Sequence, residues 1–171
     1  MKIHYKIASL ILMLGFAAQA NAQQHFGPGS MAQASVGVTI VEPLVVTKTS
    51  DMNFGSIIVD GMFTDVFLNP DGTVHSPFGA SIIPSSGATA ASFTVTGADL
   101  AYSIFFPMHM TMLENGSGDW LEIMNFVDSK GGASVVSSGS DTFTVGGSLW
   151  VPGMVPAGIY TGSFDVFVNY Q

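Results

Sequence analysis

The stretch that decides the fold is "AGIYTGSFDVFVNYQ", residues 157–171. Tyr160, Gly162, Phe164, Val166, Val168 and Tyr170 take one parity, while Thr161, Ser163, Asp165 and Asn169 take most of the other. Side chains point alternately to the two faces of a strand, so this segment reads as a strand with one face made for a core. The same period of two recurs in "ASVGVTI" (Val36, Val38, Ile40), "FTVTG" (Phe93, Val95), "LAYSIFF" (Tyr102, Ile104, Phe106), "LEIMNFV" and "DTFTVGGSLWV". Turn signals separate these runs: "NPDGT" at 69–73, "PSSG" at 84–87, "ENGSGD" at 114–119, "SKGG" at 129–132, "SSGSD" at 137–141 and "VPAG" at 155–158. Short alternating strands at this spacing predict an all-β chain, an immunoglobulin-like antiparallel β-sandwich.

The N-terminus reads differently. Lys2 and Lys6 precede an apolar run from Ile7 to Ala18, and Ala20-Asn21-Ala22 supplies the small residues of a cleavage site. This predicts a secretory signal peptide over residues 1–22 and export through the inner membrane. The apolar run is shorter than the roughly 20 residues of a membrane span, so no membrane insertion is expected. The domain plan is then a signal peptide at 1–22, a flexible arm "QQHFGPGSMAQ" at 23–33 and one sandwich domain at 34–171. The chain has no Cys, so no disulfide can staple the fold.

After residue 22 the only cations are Lys48 and Lys130; set against 12 acidic residues they leave −10. Nucleic acid and anionic lipid both require clustered Lys or Arg, and neither is an expected partner. Catalysis has no motif: His25, His75 and His109 are scattered, and no nucleophile, base and orienter fall into a recognised spacing. The chain is read as a non-enzyme without a cofactor. In "PMHMTML", 107–113, Met108, Met110 and Met112 share a parity. Thioethers suit Cu(I), yet the run continues the stripe of Tyr102, Ile104 and Phe106, and the expectation is core packing. Asp60, Asp65 and Asp71, or Glu114, Asp119 and Glu122, lack the spacing of a calcium loop and read as solvated turn charges.

The C-terminal strand carries a further signal, with Tyr170 penultimate and Gly158 fourteenth from the end. In this the chain resembles the subunits of chaperone–usher pili. More broadly, the order of "TIVEPLVV", "MNFGSI", "ASFTVTG", "FFP", "FTVGGSL" and "PAGIYTGSFDVFVNYQ" is similar to the secreted bacterial family called domain of unknown function 4402. The pilin resemblance implies a sandwich completed by a donated strand, a periplasmic chaperone, an outer-membrane usher and copies of the same chain as partners, and a fibre at the cell surface. It makes Gly158, Tyr160, Gly162, Phe164, Val166, Val168 and Tyr170 the pairing strand. Ala32, Ala34, Val36, Val38 and Ile40 are the donor candidates, with 34–42 as donor segment; five apolar side chains on one face span about 27 Å. "ASVGVTI" is read either as that donor or as the first strand of a complete domain. Two other functions compete: a monomeric secreted binding module using the turns near Trp120 and Trp150, and a small outer-membrane β-barrel, against which stand the prolines that bound several spans.

Overall fold

The run "DTFTVGGSLWV" forms the spine of the molecule. In a computed structural model describing residues 27, 29–77, 80–82 and 87–171, the strands are β1 (Val45–Ser50), β2 (Ile57–Val59), β3 (Thr64–Leu68), β4 (Val74–His75), β5 (Ala80–Ile82), β6 (Ala91–Thr96), β7 (Ala101–Phe105), β8 (Thr111–Glu114), β9 (Trp120–Asp128), β10 (Ala133–Val135), β11 (Ser140–Val151) and β12 (Phe167–Tyr170). All pairings are antiparallel. The chain divides into two units, residues 1–38 and 39–171. The strands all lie in the second. The predicted signal peptide and His25 lie outside the described residues.

β11 is long enough to serve several partners at once. Val145 pairs with Ala91 of β6 on one edge and with Asp128 of β9 on the other. Beyond it, Gly147–Val151 pair with β3, which follows β6 along the first edge. Gly146 stands where the two meet, because a Cβ there would run into the Leu68 carbonyl. β1 completes the sheet beside β6, β4 beside β3 and β8 beside β9, giving seven strands. A second sheet has the order β10-β7-β12, and β2 pairs with β5 as a separate ribbon.

The two sheets face each other over Phe93, Val95, Tyr102, Ile104, Phe143 and Val145. A second cluster of Val66, Leu68, Leu121, Ile123 and Leu149 lies toward the other end of β11. Met52 and Phe126 pack against both clusters, so the core is continuous. The inward residues of β9 change parity midway, from Leu121 and Ile123 to Phe126 and Asp128. A bulge opposite Gly146–Ser148 and the left-handed Asn125 (φ 51°) account for the change. This is the expected β-sandwich, with edge strands that leave both sheets open. The closed barrel is not what the described strands form.

Two sites show how a cysteine-free sandwich is tied together. Asp128 accepts the N–H of Lys130 (2.7 Å) and of Gly132 (3.0 Å), closing the "SKGG" turn between β9 and β10. Asp141, at the start of β11, accepts from Tyr102 Oη (2.9 Å), Ser134 Oγ (2.6 Å), Lys130 Nζ (2.9 Å) and the Thr142 N–H (2.8 Å). This clasp joins the two sheets. Burial alone would raise the Asp141 carboxyl, but the donations from Ser134, Lys130, Tyr102 and Thr142 outweigh it and bring the group down to about 2. Burial, and then Asp141 itself, push the Tyr102 phenol up to about 12.

Candidate functional site: an open groove between two sheet edges

β1 and β12 end their respective sheets. Among the described residues, β1 pairs only with β6 and β12 only with β7. Their unpaired edges flank a groove of about 450 Å³ lined by Leu44, Val46, Phe105 and the Val166–Asn169 stretch. Its floor is core: Leu44, Val46, Val166 and Val168 are half-buried and pack against the Phe93 and Ile104 cluster. Phe164 continues that floor, stacking on Phe126 at 4.6 Å and meeting the edge of Phe93 at 6.3 Å. Such a slot has apolar side chains at the bottom and free backbone groups on both walls. Unpaired strand edges of this kind can accept a further strand.

The C-terminal segment builds one wall, and its predicted alternation holds from Phe164 to Tyr170; Gly158 and Gly162, expected on the inward face, are exposed. Tyr160, Phe164, Val166, Val168 and Tyr170 turn their half-buried sides inward, while Thr161, Ser163, Asp165, Phe167 and Asn169 are exposed. Regular pairing is shorter than the pattern: only Phe167–Tyr170 form a strand, in register with Phe105–Tyr102 of β7. Earlier, Thr161 and Glu114 exchange backbone hydrogen bonds of 2.9 Å, tying the segment to β8 instead. It therefore crosses from one sheet to the other. Gly162 sits at the crossing, where a Cβ would meet the Met112 carbonyl, and Gly158 is exposed before it. The Tyr160 hydroxyl donates to the Pro156 carbonyl (2.8 Å), closing the "VPAG" turn.

Tyr170 does something the strand pattern does not reveal. Its hydroxyl donates to the Glu42 carbonyl (2.8 Å) and accepts the N–H of Ala98 (2.7 Å). It thus fastens the lead-in to β1, the turn between β6 and β7 and the end of β12 at one point. Gly97 makes room for it: a Cβ there would lie 2.5 Å from the Tyr170 oxygen. Nothing in the pattern of apolar residues signals a role for the hydroxyl.

The donor candidates are placed plainly. No strand is assigned between Gly29 and Leu44, and Ala32, Ala34, Val36, Val38 and Ile40 are all exposed, Val36 to 97% and Ile40 to 91%. The alternative in which "ASVGVTI" is the first strand of a complete domain is not what the structure has; the first strand is Val45–Ser50. Lys48 and Asp51 form an ion pair at the far end of that strand, where a register shift between Lys48 and Ser50 also blunts the edge. Its near end, Leu44–Val46, has no such protection.

One expectation is corrected. Met108, Met110 and Met112 are exposed, Met108 to 98%. The buried stripe of Tyr102 and Ile104 stops because β7 ends at Phe105 and Pro107 follows; the chain then bends at 108–109 and its parity no longer refers to the same sheet. Among the described residues no cluster of three His, Cys, Asp or Glu is placed to hold a metal. Trp120 and Trp150 lie within β9 and β11 rather than on loop tips. His75 stacks on Phe67 at 5.1 Å as a sheet residue, and His109 is exposed. Among the described residues no helix is long and apolar enough to cross a membrane.

The family model of a domain of unknown function (DUF4402) matches residues 44–170, from the lip of the groove at Leu44 to Tyr170. No curated protein matches the chain.

Proposed function

Because the chain belongs to the DUF4402 family, whose description assigns no role, we propose its function from the groove: it is a structural, pilin-like subunit of an extracellular fibre, assembled by β-strand exchange between copies. The observation that carries this reading is the apolar slot between β1 and β12, bounded by two unpaired backbone edges. Strand addition uses both features, with main-chain hydrogen bonds for affinity and alternate side chains for register.

The occupant is the exposed segment Ala32–Ile40 of a second copy. Its apolar residues repeat every second position, the same period at which Phe164, Val166 and Val168 line the floor. Burial of Val36, Val38 and Ile40 stabilises the complex by about 6 kcal/mol before the entropy of ordering the arm is subtracted. In this proposal the subunit is secreted, a periplasmic chaperone covers the same groove in transit, and an outer-membrane usher exchanges the chaperone for the next arm. An uncovered edge over apolar core is an aggregation hazard, which supports a dedicated escort.

The test compares the chain from Gln23 with one beginning at Thr39, the first residue of the sandwich unit. The longer chain is expected to give SDS-resistant ladders and filaments by negative-stain microscopy. The shorter is expected to stay monomeric and to bind a peptide of residues 30–42. A longer chain that remains a stable monomer at every concentration removes the fibre reading and leaves a secreted binding module.

A further inference from the structure

β8 turns its methionines to the outside. Thr111 and Leu113 take the inward parity, and Leu113 packs against the cluster around Leu121 and Ile123. Met110 and Met112 are left on the outer face, 55% and 47% exposed. The neighbouring strand adds a third thioether. β8 and β9 pair antiparallel with Thr111 opposite Ile123 and Met112 opposite Glu122, so one further step of the same register sets Met110 opposite Met124. Met124 has the outward parity of Glu122 and is half-buried. Residues opposite each other on adjacent strands hold their Cβ atoms about 5 Å apart, and alternate residues of one strand stand about 7 Å apart. Three thioethers on flexible side chains are therefore within reach of one point. The core has no need of them: among the described residues, Met52 is the methionine that packs against both buried clusters.

We propose that Met110, Met112 and Met124 bind a single Cu(I) ion on the outer face of the large sheet. The donor set decides the metal. Thioethers are soft, neutral ligands that select Cu(I), whereas zinc, calcium and magnesium take thiolate, imidazole or oxygen ligands. Three neutral ligands leave the positive charge of the ion in place, and the surroundings match it. Glu122 stands directly opposite Met112, and Glu114 is the next residue on the same face of β8. Lys48 and Lys130 are held elsewhere, by Asp51 and Asp141. Access is open as well, because Met110, Met112 and Glu114 line a groove of about 620 Å³ whose other wall is Thr161–Ser163. Met124 is set by β11 behind it, where it pairs with Ser148, so both strands of the site are in register without metal. The site shares no residue with the slot between β1 and β12 and stands independently of strand exchange.

Equilibrium dialysis of the chain from Gln23 against Cu(I), kept reduced by ascorbate under argon, tests this on monomer and assembly alike. The chain has no Cys, so no thiolate competes. One Cu(I) per chain is expected to be retained, with Zn(II) unable to displace it and copper K-edge absorption showing sulfur neighbours only. Leucine in place of methionine removes the sulfur and nearly keeps the volume. Met110→Leu, Met112→Leu and Met124→Leu are each expected to weaken retention at least about tenfold, a loss that the outer partners of a metal site already cause on their own. Met62→Leu and Met154→Leu, at exposed positions elsewhere, should leave retention unchanged. Retention that survives Met124→Leu would overturn the cross-strand site. Equal losses from the substitutions at 62 and 154, nitrogen neighbours pointing to His109, or no retention of Cu(I) at all would overturn it too.

Discussion

Replacing Tyr170 by Phe removes one oxygen and leaves the half-buried ring in place. That oxygen donates to the Glu42 carbonyl and accepts the Ala98 N–H, at 2.8 and 2.7 Å. A typical intramolecular hydrogen bond contributes about 1 kcal/mol net, and the Ala98 N–H is left without its partner in a partly covered site, so the expected loss is about 2 kcal/mol. For a domain of this size that lowers the unfolding midpoint by about 6–8 °C. Urea unfolding followed by near-UV circular dichroism measures it. A double-mutant cycle with Gly97→Ala sharpens the test. The added methyl collides with the Tyr170 oxygen in the parent chain, so it should cost at least about 1 kcal/mol less in the Tyr170→Phe background. Strain from the positive φ of Gly97 (154°) is common to both backgrounds and cancels. A loss below about 0.3 kcal/mol for Tyr170→Phe, with additive behaviour in the cycle, would refute the claim that this hydroxyl fastens the arm junction to the sandwich.

Other outcomes follow from the same geometry. The Asp141 carboxyl is held at about 2, below its unfolded value, so its contribution is present above about pH 4 and lost as pH falls toward 2; about 2 kcal/mol should disappear across that window, and be missing from it in Asp141→Asn. Gly146→Ala forces β3 away from β11 at the Leu68 carbonyl and should destabilise by at least about 2 kcal/mol in chemical unfolding. Met108→Ser, Met110→Ser and Met112→Ser should each change stability by less than about 0.5 kcal/mol, because their side chains are exposed; losses of core size would restore the packing expectation. Val38→Asp should leave the unfolding midpoint of the monomer unchanged and abolish ladder formation, as read by gel after incubation at high concentration.

Much of the sandwich is legible because alternation survives wherever one face of a strand is buried. "FTVTG", "LAYSIFF" and "DTFTVGGSLWV" overlap β6, β7 and β11. β3 alternates as well, but Thr64 stands where an apolar residue would mark the face; its hydroxyl meets Ser76 Oγ at 2.8 Å instead. β1 escapes notice because it is an edge whose second half, Lys48–Ser50, is polar on both faces. The methionine run misleads for a related reason: parity carries information only while the chain stays in one sheet, and Pro107 ends that continuity. The groove is not legible at all, since it depends on which strands remain unpaired after every register is set. Sequence alone marks by pattern the donor face proposed for it, Val36, Val38 and Ile40, and one wall by the alternation from Phe164 to Tyr170. The opposite wall, Leu44 and Val46, comes only from the packing of β1 against the second sheet.

The claim that the slot between β1 and β12 receives the arm of another copy is tested most directly by amide hydrogen exchange on the sandwich unit, Thr39–Gln171, with and without a peptide of residues 30–42. Protection is expected to rise at the outward-facing amides of Phe167–Tyr170 and at the start of β1, with no change in β3 or β9. Absence of protection at β12 while the peptide is bound, or protection centred on β8 or β4, would contradict it.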